Sequence, residues 1–366
     1  MLTYPYSTIR CNGRPIAICD IINGTAGAQN DFEEALFTFI REWLGDADSF
    51  RMTTSGSTGS PKPIAVSRDQ MIASARLTLQ ALQLNEGQSA LICLSPEFIA
   101  GKMMIVRSLI AGMKIIAVNP AARPLDALTE SIDFAAFVPL QVHDMLHGAG
   151  NSFRKVSQVL VGGGSLDATD IALLQDFSCT FYATYGMTET VSHVALRKLN
   201  GPDATEYYKG MPGIAFAVDN RGCLVIHWSA LGSPVVTNDL VQLLDDVRFL
   251  WLGRWDNVIN SGGKKIIPEN LESSIALALQ KAGFYERFFI AGVPDTRLGS
   301  KVVMIIEGDH INQKYNTLRR LLQLSLQPHE VPRDFYTCDR FAETQTGKVN
   351  RIATLELAIS RNHSSD

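Results

Sequence analysis

Apolar residues recur at helical spacing in two segments near the start of the chain. Residues 31–44 open with an acid-rich turn and continue with apolar positions at that spacing, which predicts a helix. Residues 67–84 repeat the pattern behind Ser67, a residue type that caps helices. The apolar positions of this second segment are Met71, Ile72, Ala75, Leu77, Leu79 and Leu82.

Short β-branched runs bounded by glycine or proline predict strands farther along the chain. They lie at residues 114–118, 135–138, 158–161 and 235–237. Because strands alternate with helical segments over residues 90–185, we expect a largely parallel sheet covered by helices.

The alternation of predicted helices and strands starts again after Arg254. A glycine turn is followed by a helix start at Pro268-Glu269, a strand at 302–306 and a helix near 316–326. A tail of about 110 residues is large enough for an independent domain. The predicted α/β architecture divides into a large domain, a hinge and a small lid domain at residues 1–253, 254–256 and 257–366.

The composition is that of a globular protein without a basic face. The 366 residues include 33 Lys+Arg and 37 Asp+Glu, the net charge is −4, and 46% of residues are hydrophobic. This balance argues against disorder and against nucleic acid as a partner. The most apolar stretch, residues 90–118, is interrupted by charged residues, so we expect it in a core and expect no membrane insertion.

The six cysteines favour a reducing compartment. None forms a Cys-x-x-Cys pair, and their spacing follows no zinc pattern. Most have apolar neighbours, which predicts buried free thiols. The first residues lack the basic start and apolar core of a signal peptide, so we expect a soluble, cytoplasmic protein.

A loop rich in glycine and hydroxyl groups, residues 53–62, is suited to an anion. Its glycines let backbone N–H groups approach a phosphate, while hydroxyls and the Lys62 ammonium add donors. Pro61 stands before that lysine, so this is not a Walker loop. A solvated Ser/Gly linker is the alternative interpretation.

A second motif follows a strand-like segment at residues 180–184. Open α/β sheets bind ligands where their strands end, and here Tyr185, Gly186, Thr188 and Glu189 come next. Tyr185 could stack on a base, Thr188 could donate to a phosphate, and Glu189 could hold Mg²⁺. A strand end with an incidental cap is the alternative.

Two further motifs supply a carboxylate, a guanidinium and a lysine. A carboxylate such as Asp239 can accept from two ribose hydroxyls, and Arg254, beside a glycine, can assist. Two ordinary surface turns are the alternative. Lys348, in a Gly-Lys pair near the C-terminus, could reach across a domain interface or lie in solvent.

In this order the motifs resemble those of the adenylate-forming superfamily, which contains acyl- and aryl-CoA ligases, peptide-synthetase adenylation domains and luciferases. The resemblance covers residues 53–351. It implies an ATP-dependent reaction that joins a carboxylic acid to AMP and passes the acyl group to a thiol. The implied small molecules are ATP, Mg²⁺, the acid and CoA as co-substrate.

The resemblance assigns nucleotide-binding roles to residues of the large domain. The loop for the leaving β- and γ-phosphates matches Thr54, Ser55, Gly56, Ser57, Thr58, Gly59 and Lys62. The loop beside adenine and the acyl group matches Gly162, Gly163 and Gly164, with Tyr185 and Gly186 next to the base. Thr188 and Glu189 match the catalytic contacts to phosphate and Mg²⁺, and the ribose contacts match Asp239 and Arg254.

It also assigns roles near the small domain. Lys348 matches the catalytic lysine that steadies the attacking carboxylate, and Asp256 falls at the hinge. Gly262 and Gly263 match small residues of a CoA tunnel. The phosphate loop begins earlier than in typical members, so we expect a shortened first subdomain, and the oligomeric state, a homodimer included, is left open.

Residues 96–107 and 188–193 are similar to short o-succinylbenzoate–CoA ligases of menaquinone biosynthesis. A dicarboxylic aryl acid needs a cation for its second carboxylate, which Lys102 or Arg107 could supply. Ser192 and His193 would then line the acyl pocket. The alternative places both cations at the surface, since long basic side chains usually reach water.

Two other functions stay open from the sequence. The first keeps adenylation but uses another aryl or acyl acid, or the thiol of a carrier protein. The second is a nucleotide-binding relative without catalysis. The presence of Glu189, Asp239, Arg254 and Lys348 together argues against the second.

Overall fold

The computed structural model describes residues 4–53, 63–148, 152–284, 286–308, 315–343 and 349–363. The strands up to residue 254 are β1 Thr8–Cys11, β2 Arg14–Ala17, β3 Ser49–Thr53, β4 Pro63–Ser67, β5 Ser89–Ile92, β6 Lys114–Ala117, β7 Ile132–Phe137, β8 Val156–Val161, β9 Thr180–Gly186, β10 His193–Lys198, β11 Tyr208–Gly210, β12 Ala215–Val218, β13 Cys223–His227, β14 Val235–Leu243 and β15 Arg248–Arg254. The helices of this part are α1 Ile18–Asn23, α2 Asp31–Leu44, α3 Arg68–Leu82, α4 Ile99–Ala111, α5 Pro139–His147 and α6 Ala168–Leu173.

The rest of the chain forms a smaller set of elements. They are β16 Ile259–Ser261, β17 Lys264–Ile266, α7 Pro268–Lys281, β18 Phe288–Asp295, β19 Gly299–Glu307, α8 Tyr315–Ser325, β20 Asp334–Cys338 and α9 Arg351–His363.

The two N-terminal helices form where the apolar pattern predicts them. At α2 the Asn30 side chain accepts from the Glu33 N–H at 3.0 Å. At α3, Ser67 and Gln70 form a reciprocal capping box, in which each side chain satisfies a backbone N–H of the other residue.

The first sheet has thirteen strands in the order β12-β13-β14-β15-β11-β10-β9-β8-β7-β5-β6-β1-β2. Its centre, β1-β6-β5-β7-β8-β9, is parallel, which confirms the parallel sheet expected over residues 90–185. From β9 to β12 the neighbours are antiparallel. The strand predicted at residues 235–237 is the beginning of β14, which continues to Leu243 in this antiparallel part.

Helices cover both faces of the parallel centre. Successive strand residues point to opposite faces, so Ala90 and Ile92 of β5 pack with α2, α3 and α4, whereas Leu91 lies in a second cluster with Val142 and Met145 of α5. Residues 99–109 of α4 are largely buried. A polar side chain on the inner turns of α4 therefore lies inside the protein.

A separate sheet forms after residue 258. It has the order β17-β16-β19-β18, with β20 parallel to β19. Residues of α7 and α8 pack on one face, and Ala358 of α9 packs on the other. The fold is therefore α/β, with a large sheet domain and a small C-terminal sheet domain, and a 3-10 turn at Trp255–Asn257 lies between the two sheets.

The structure bears on two expectations drawn from composition. All six cysteines are free and five are buried, Cys19 being exposed, which confirms the expected buried thiols. None of the helices in the described ranges is both long and apolar enough to cross a bilayer.

Candidate active site

Several motifs singled out in the sequence meet at one edge of the sheet. The parallel strands β7, β8 and β9 end side by side, so the loop at residues 162–164 and the turn after Gly186 are neighbours. A Cβ atom on Gly162 would lie 2.6 Å from the Thr184 hydroxyl, and one on Gly186 would overlap the Ser192 carbonyl. Both glycines are therefore required by close approach of chain segments.

Tyr185, Asp239 and Arg254 form a polar cluster beside this edge. The Tyr185 hydroxyl donates to Asp239 Oδ2 at 2.7 Å, and the Trp251 indole N–H donates to Oδ1 at 3.2 Å. Arg254 Nη1 lies 3.6 Å from the same Oδ1, because Asp239 on β14 and Arg254 on β15 are register partners. A carboxylate held next to a guanidinium suits the paired hydroxyls of a ribose.

The protonation of this cluster follows from its surroundings. Burial raises the pKa of Tyr185 well above its ordinary value, and the charge of Asp239 adds to the rise, so Tyr185 stays a donor. Burial opposes the charge of Arg254, but the hydrogen bond to Asp256 and the charges of Asp239 and Asp256 outweigh it and raise the pKa. The Tyr185 ring packs against Tyr208 and Phe249.

The predicted hinge residue Asp256 is tied to the large sheet. It accepts from Arg254 Nη2 at 2.8 Å and from Asn238 Nδ2 at 3.2 Å. Glu269, in the first turn of α7, approaches from the other side, accepting from the Arg254 N–H at 3.4 Å and from the Asn257 amide. The small domain therefore contacts the chain beside the ribose-type cluster, which consists of Tyr185, Asp239 and Arg254.

Thr188 and Glu189 lie in a single 3-10 turn, Thr188–Thr190, directly after β9. Glu189 is exposed and Thr188 is partly exposed, so both side chains are available to a ligand. Val191, the residue that follows this turn, is buried and has φ of 67°. A β-branched residue rarely adopts that backbone region, and strain of this kind concentrates at functional sites.

A buried polar network lies just beyond this turn. Arg107 on α4 is 2% exposed, and its Nε donates to Thr78 Oγ1 at 3.1 Å while Nη2 donates to Ser192 Oγ at 2.7 Å. His193 Nε2 lies 3.0 Å from Thr78 Oγ1. Because His193 pairs with Gly186 across β9 and β10, the network is adjacent to the turn that carries Glu189.

The network holds a cation that has no anion beside it in the part of the chain that the structure describes. No carboxylate within the described ranges forms an ion pair with Arg107, and burial lowers its pKa to about 9. Burial, and then the charge of Arg107, lower the pKa of His193 well below its ordinary value, so the imidazole is neutral. The surface location considered for Arg107 is wrong, since α4 is enclosed by the core.

Lys102 does not join this network. Its Nζ lies 4.9 Å from the Phe39 ring centre on α2, and its pKa is lowered by burial, with Glu42 and Glu97 acting in the opposite direction. Lys102 and Arg107 are five residues apart on α4 and therefore project from different sides of the helix.

The structure describes some of the remaining predicted site residues and not others. Gly262 and Gly263 form the two-residue turn between β16 and β17, with φ of 56° and 79°, which is the geometry of a type I′ hairpin. Residues 54–62 lie outside the described ranges, but their flanks Thr53 and Pro63 are paired in the β3–β4 hairpin. Lys348 also lies outside them, between the bridged Glu343 and Val349.

The sequence interpretation missed three residues that organise the site. Thr78 links Arg107 to His193, Trp251 donates to Asp239, and Glu269 joins the hinge to α7. Thr78 had a detectable signal, because it stands on the apolar stripe of α3 where a hydrophobic residue is expected. Trp251 and Glu269 gave no such signal, because only the tertiary fold brings them to their partners Asp239 and Arg254.

Comparison with known proteins identifies the class. The sequence profile described as AMP-binding enzyme matches residues 40–225. The chain belongs to this family, and its relatives place it among the AMP-forming ligases.

Three relatives illustrate the likeness. A crystal structure of an acyl-CoA synthetase (AMP-forming)/AMP-acid ligase II-like protein from Dyadobacter fermentans has 39% identity and a TM-score of 0.61, covering 92% of this chain and 97% of that one. A probable 2-succinylbenzoate–CoA ligase of Mycobacterium tuberculosis is 26% identical over 347 residues, covering 86% of this chain and 85% of the relative. The o-succinylbenzoate coenzyme A synthetase of Bacillus subtilis, solved with ATP and magnesium ion, shares the fold at 18% identity, with a TM-score of 0.68 and coverage of 83% of this chain and 69% of that one.

Proposed function

We propose that this protein is an ATP-dependent, AMP-forming acid–CoA ligase that converts o-succinylbenzoate to o-succinylbenzoyl-CoA. The observation that carries the choice of acid is the buried guanidinium of Arg107, which faces the hydroxyls of Thr78 and Ser192. A substrate with a second carboxylate would supply the missing anion. The name of the Mycobacterium tuberculosis relative supports the same acid.

The reaction has two steps at one carboxyl group. An oxygen of the substrate carboxylate attacks the α-phosphorus of ATP, pyrophosphate leaves, and an acyl-adenylate forms. The sulfur of CoA then attacks the acyl carbonyl, its thiol proton is lost, and AMP leaves. The first step brings an anion to an anion, so its barrier is lowered mainly by positive charge and by positioning.

The residues proposed for the first step follow from the resemblance and from the strand-end geometry. Lys348 steadies the attacking carboxylate and Thr188 contacts phosphate, while Asp239 and Arg254 hold the ribose. Glu189 is an exposed carboxylate at this strand end, the type of oxygen donor that Mg²⁺ prefers, so it fits that ion. When bound, Mg²⁺ would neutralise phosphate charge.

The second step needs different surroundings at the same carbonyl. We propose that residues 257–366 rotate against residues 1–253 about 254–256, which removes Lys348 and brings the Gly262-Gly263 turn to the thiol's path. Domain rotations of this kind commonly separate catalytic steps. Free thiols at all six cysteines favour a reducing compartment, and we propose the cytoplasm.

The test is pyrophosphate release from ATP and Mg²⁺, measured with o-succinylbenzoate, benzoate and a fatty acid, each with and without CoA. We expect CoA-dependent turnover with o-succinylbenzoate alone. Turnover with benzoate at equal efficiency would overturn the role of the second carboxylate. Pyrophosphate release that does not respond to CoA would indicate another thiol acceptor, and no release with any of these acids would overturn the proposed reaction.

A further inference from the structure

Two histidines and a buried aspartate meet on the face of the sheet opposite α4. His143 and His147 are one turn apart on α5, and Asp170 is in the first turn of α6. Asp170 Oδ2 lies 3.1 Å from His143 Nδ1, and Oδ1 lies 2.9 Å from His147 Nε2. One ligand atom from each residue lies within 4.8 Å of the other two.

The exposure of these groups is uneven in a way that suits a metal. The Asp170 side chain is 4% exposed, whereas the imidazoles of His143 and His147 are 47% and 44% exposed. The carboxylate is therefore fixed from within the fold, and the two rings border solvent through which an ion can enter. The imidazole ring centres are 4.3 Å apart, so the two rings lie against each other beside the carboxylate.

The donor set selects the class of ion. Two imidazole nitrogens and one carboxylate oxygen suit zinc and similar transition metals, whereas Mg²⁺ and Ca²⁺ prefer oxygen ligands alone. Tetrahedral zinc with bonds of about 2.1 Å holds its ligand atoms about 3.4 Å apart. The two His–Asp separations, 3.1 Å and 2.9 Å, are shorter by about 0.3 and 0.5 Å, a difference that small rotations of the exposed rings would remove.

We propose that His143, His147 and Asp170 bind one divalent transition-metal ion of the zinc class, with a fourth position filled by water. The site is distinct from the residues proposed for ATP and the acid. It would join α5 to α6, the helices that follow β7 and β8. A Cβ on Gly164 would lie 3.5 Å from Pro139 of α5, so the joined helices flank the 162–164 loop.

The test is titration calorimetry of the full, untagged chain with zinc chloride after treatment with a chelator. We expect one zinc per chain, and we expect His143→Ala and His147→Ala each to weaken zinc binding at least about tenfold, since even indirect ligand partners contribute that much. The matched control is His227→Ala, which removes an exposed histidine of β13 and should leave zinc binding unchanged. Cobalt substitution should give the intense visible absorption of a four-coordinate site.

Thermal unfolding without zinc shows whether each variant is folded, and both histidines are exposed enough for substitution to be tolerated. Asp170→Asn, which keeps the size of the side chain and removes its charge, should also weaken binding. Absence of zinc uptake by the unaltered chain would overturn the proposal and leave only His–Asp hydrogen bonds. Equal weakening by His227→Ala, or full binding by both α5 variants, would also overturn it.

Discussion

At the scale of single residues, Arg107 has the most informative environment. A charged side chain is costly to bury without a counter-charge, yet Arg107 of α4 is buried and, within the described ranges, donates hydrogen bonds to the hydroxyls of Thr78 and Ser192. An anion bound beside this guanidinium would offset the cost of its burial. The proposed function assigns that anion to the second carboxylate of the acid.

Substitution of Arg107 tests this assignment. We expect Arg107→Ala to raise KM for o-succinylbenzoate about 10- to 100-fold, because a hydrogen-bonded charge contributes about 1.5–3 kcal/mol. KM for a monocarboxylic analogue should change little. Steady-state kinetics with both acids measures the difference, and Lys102→Ala, on the same helix but directed at Phe39, is the matched control. Equal effects on the two acids would show that Arg107 does not bind the second carboxylate.

His193 predicts a pH dependence of stability. Burial lowers its folded-state pKa well below 6.5, so below pH 6.5 the unfolded chain binds a proton that the folded chain does not. The contribution of His193 to stability is therefore full above pH 6.5 and is lost as pH falls, at up to roughly 1.4 kcal/mol per pH unit.

Urea unfolding at several pH values between 5 and 7 measures this slope. His193→Gln should reduce the slope, while His227→Gln, on the exposed side of β13, should leave it unchanged. An unaltered slope in His193→Gln would show that another group causes the acid sensitivity.

At the scale of elements, the junction of β9 and β10 positions the chemistry. Gly186 ends β9 with the backbone of β10 pressed against it, and Val191 turns the chain with a positive φ. Between these two features Glu189 is exposed, whereas His193 beyond them is buried and Ser192 accepts a hydrogen bond from Arg107. The distance between Glu189, the proposed Mg²⁺ contact, and the acyl pocket at Ser192 and His193 therefore depends on local backbone geometry.

Replacement of Gly186 tests this dependence. Gly186→Ala forces a Cβ into the backbone of Ser192 and His193, so we expect a loss of about 1–3 kcal/mol in stability, as for overpacked cores, together with weaker acid-dependent turnover. Gly27→Ala is the control, because a Cβ there meets nothing within 4 Å. Chemical denaturation and the pyrophosphate assay measure the two effects. A Gly186→Ala protein of normal stability and activity would show that the close approach is not required.

The elements themselves were predictable where a local pattern defines them. The helix at 31–44 and the capped start of α3 follow from periodicity and capping, and both form as expected. The ends of β14 and β9 were placed too early, because strand length is set by pairing with neighbours that the local sequence does not reveal. Thr78 was overlooked because a polar residue on an apolar stripe is explained only by its buried partners.

At the scale of the whole molecule, the ribose-type cluster lies at the junction of the two sheets. Arg254 ends the first sheet, Glu269 of α7 contacts its backbone, and Asp256 lies between them. A movement of the small domain would therefore alter contacts of the same residues that are proposed to hold the nucleotide. This arrangement would couple the proposed domain rotation to the nucleotide.

Lys348 provides the test of separate half-reactions. We expect Lys348→Ala to reduce acyl-adenylate formation by several orders of magnitude, because the positive charge that steadies the attacking carboxylate is lost, while ATP binding persists. Transfer of the acyl group from a supplied adenylate to CoA should be largely retained. Single-turnover assays of each half-reaction separate the two, and unchanged adenylate formation would show that Lys348 does not have the proposed role.

The sequence by itself determined the α/β class, the order of the motifs and the family, because periodicity, capping and glycine-rich loops are local properties of the chain. Only the tertiary structure decided which of Lys102 and Arg107 faces the polar network. It also decided that Thr78 joins Arg107 to His193 and that His143, His147 and Asp170 converge. The physical reason is that burial, and therefore the energy of a charge or a polar group, depends on segments far apart in sequence that only folding brings into contact.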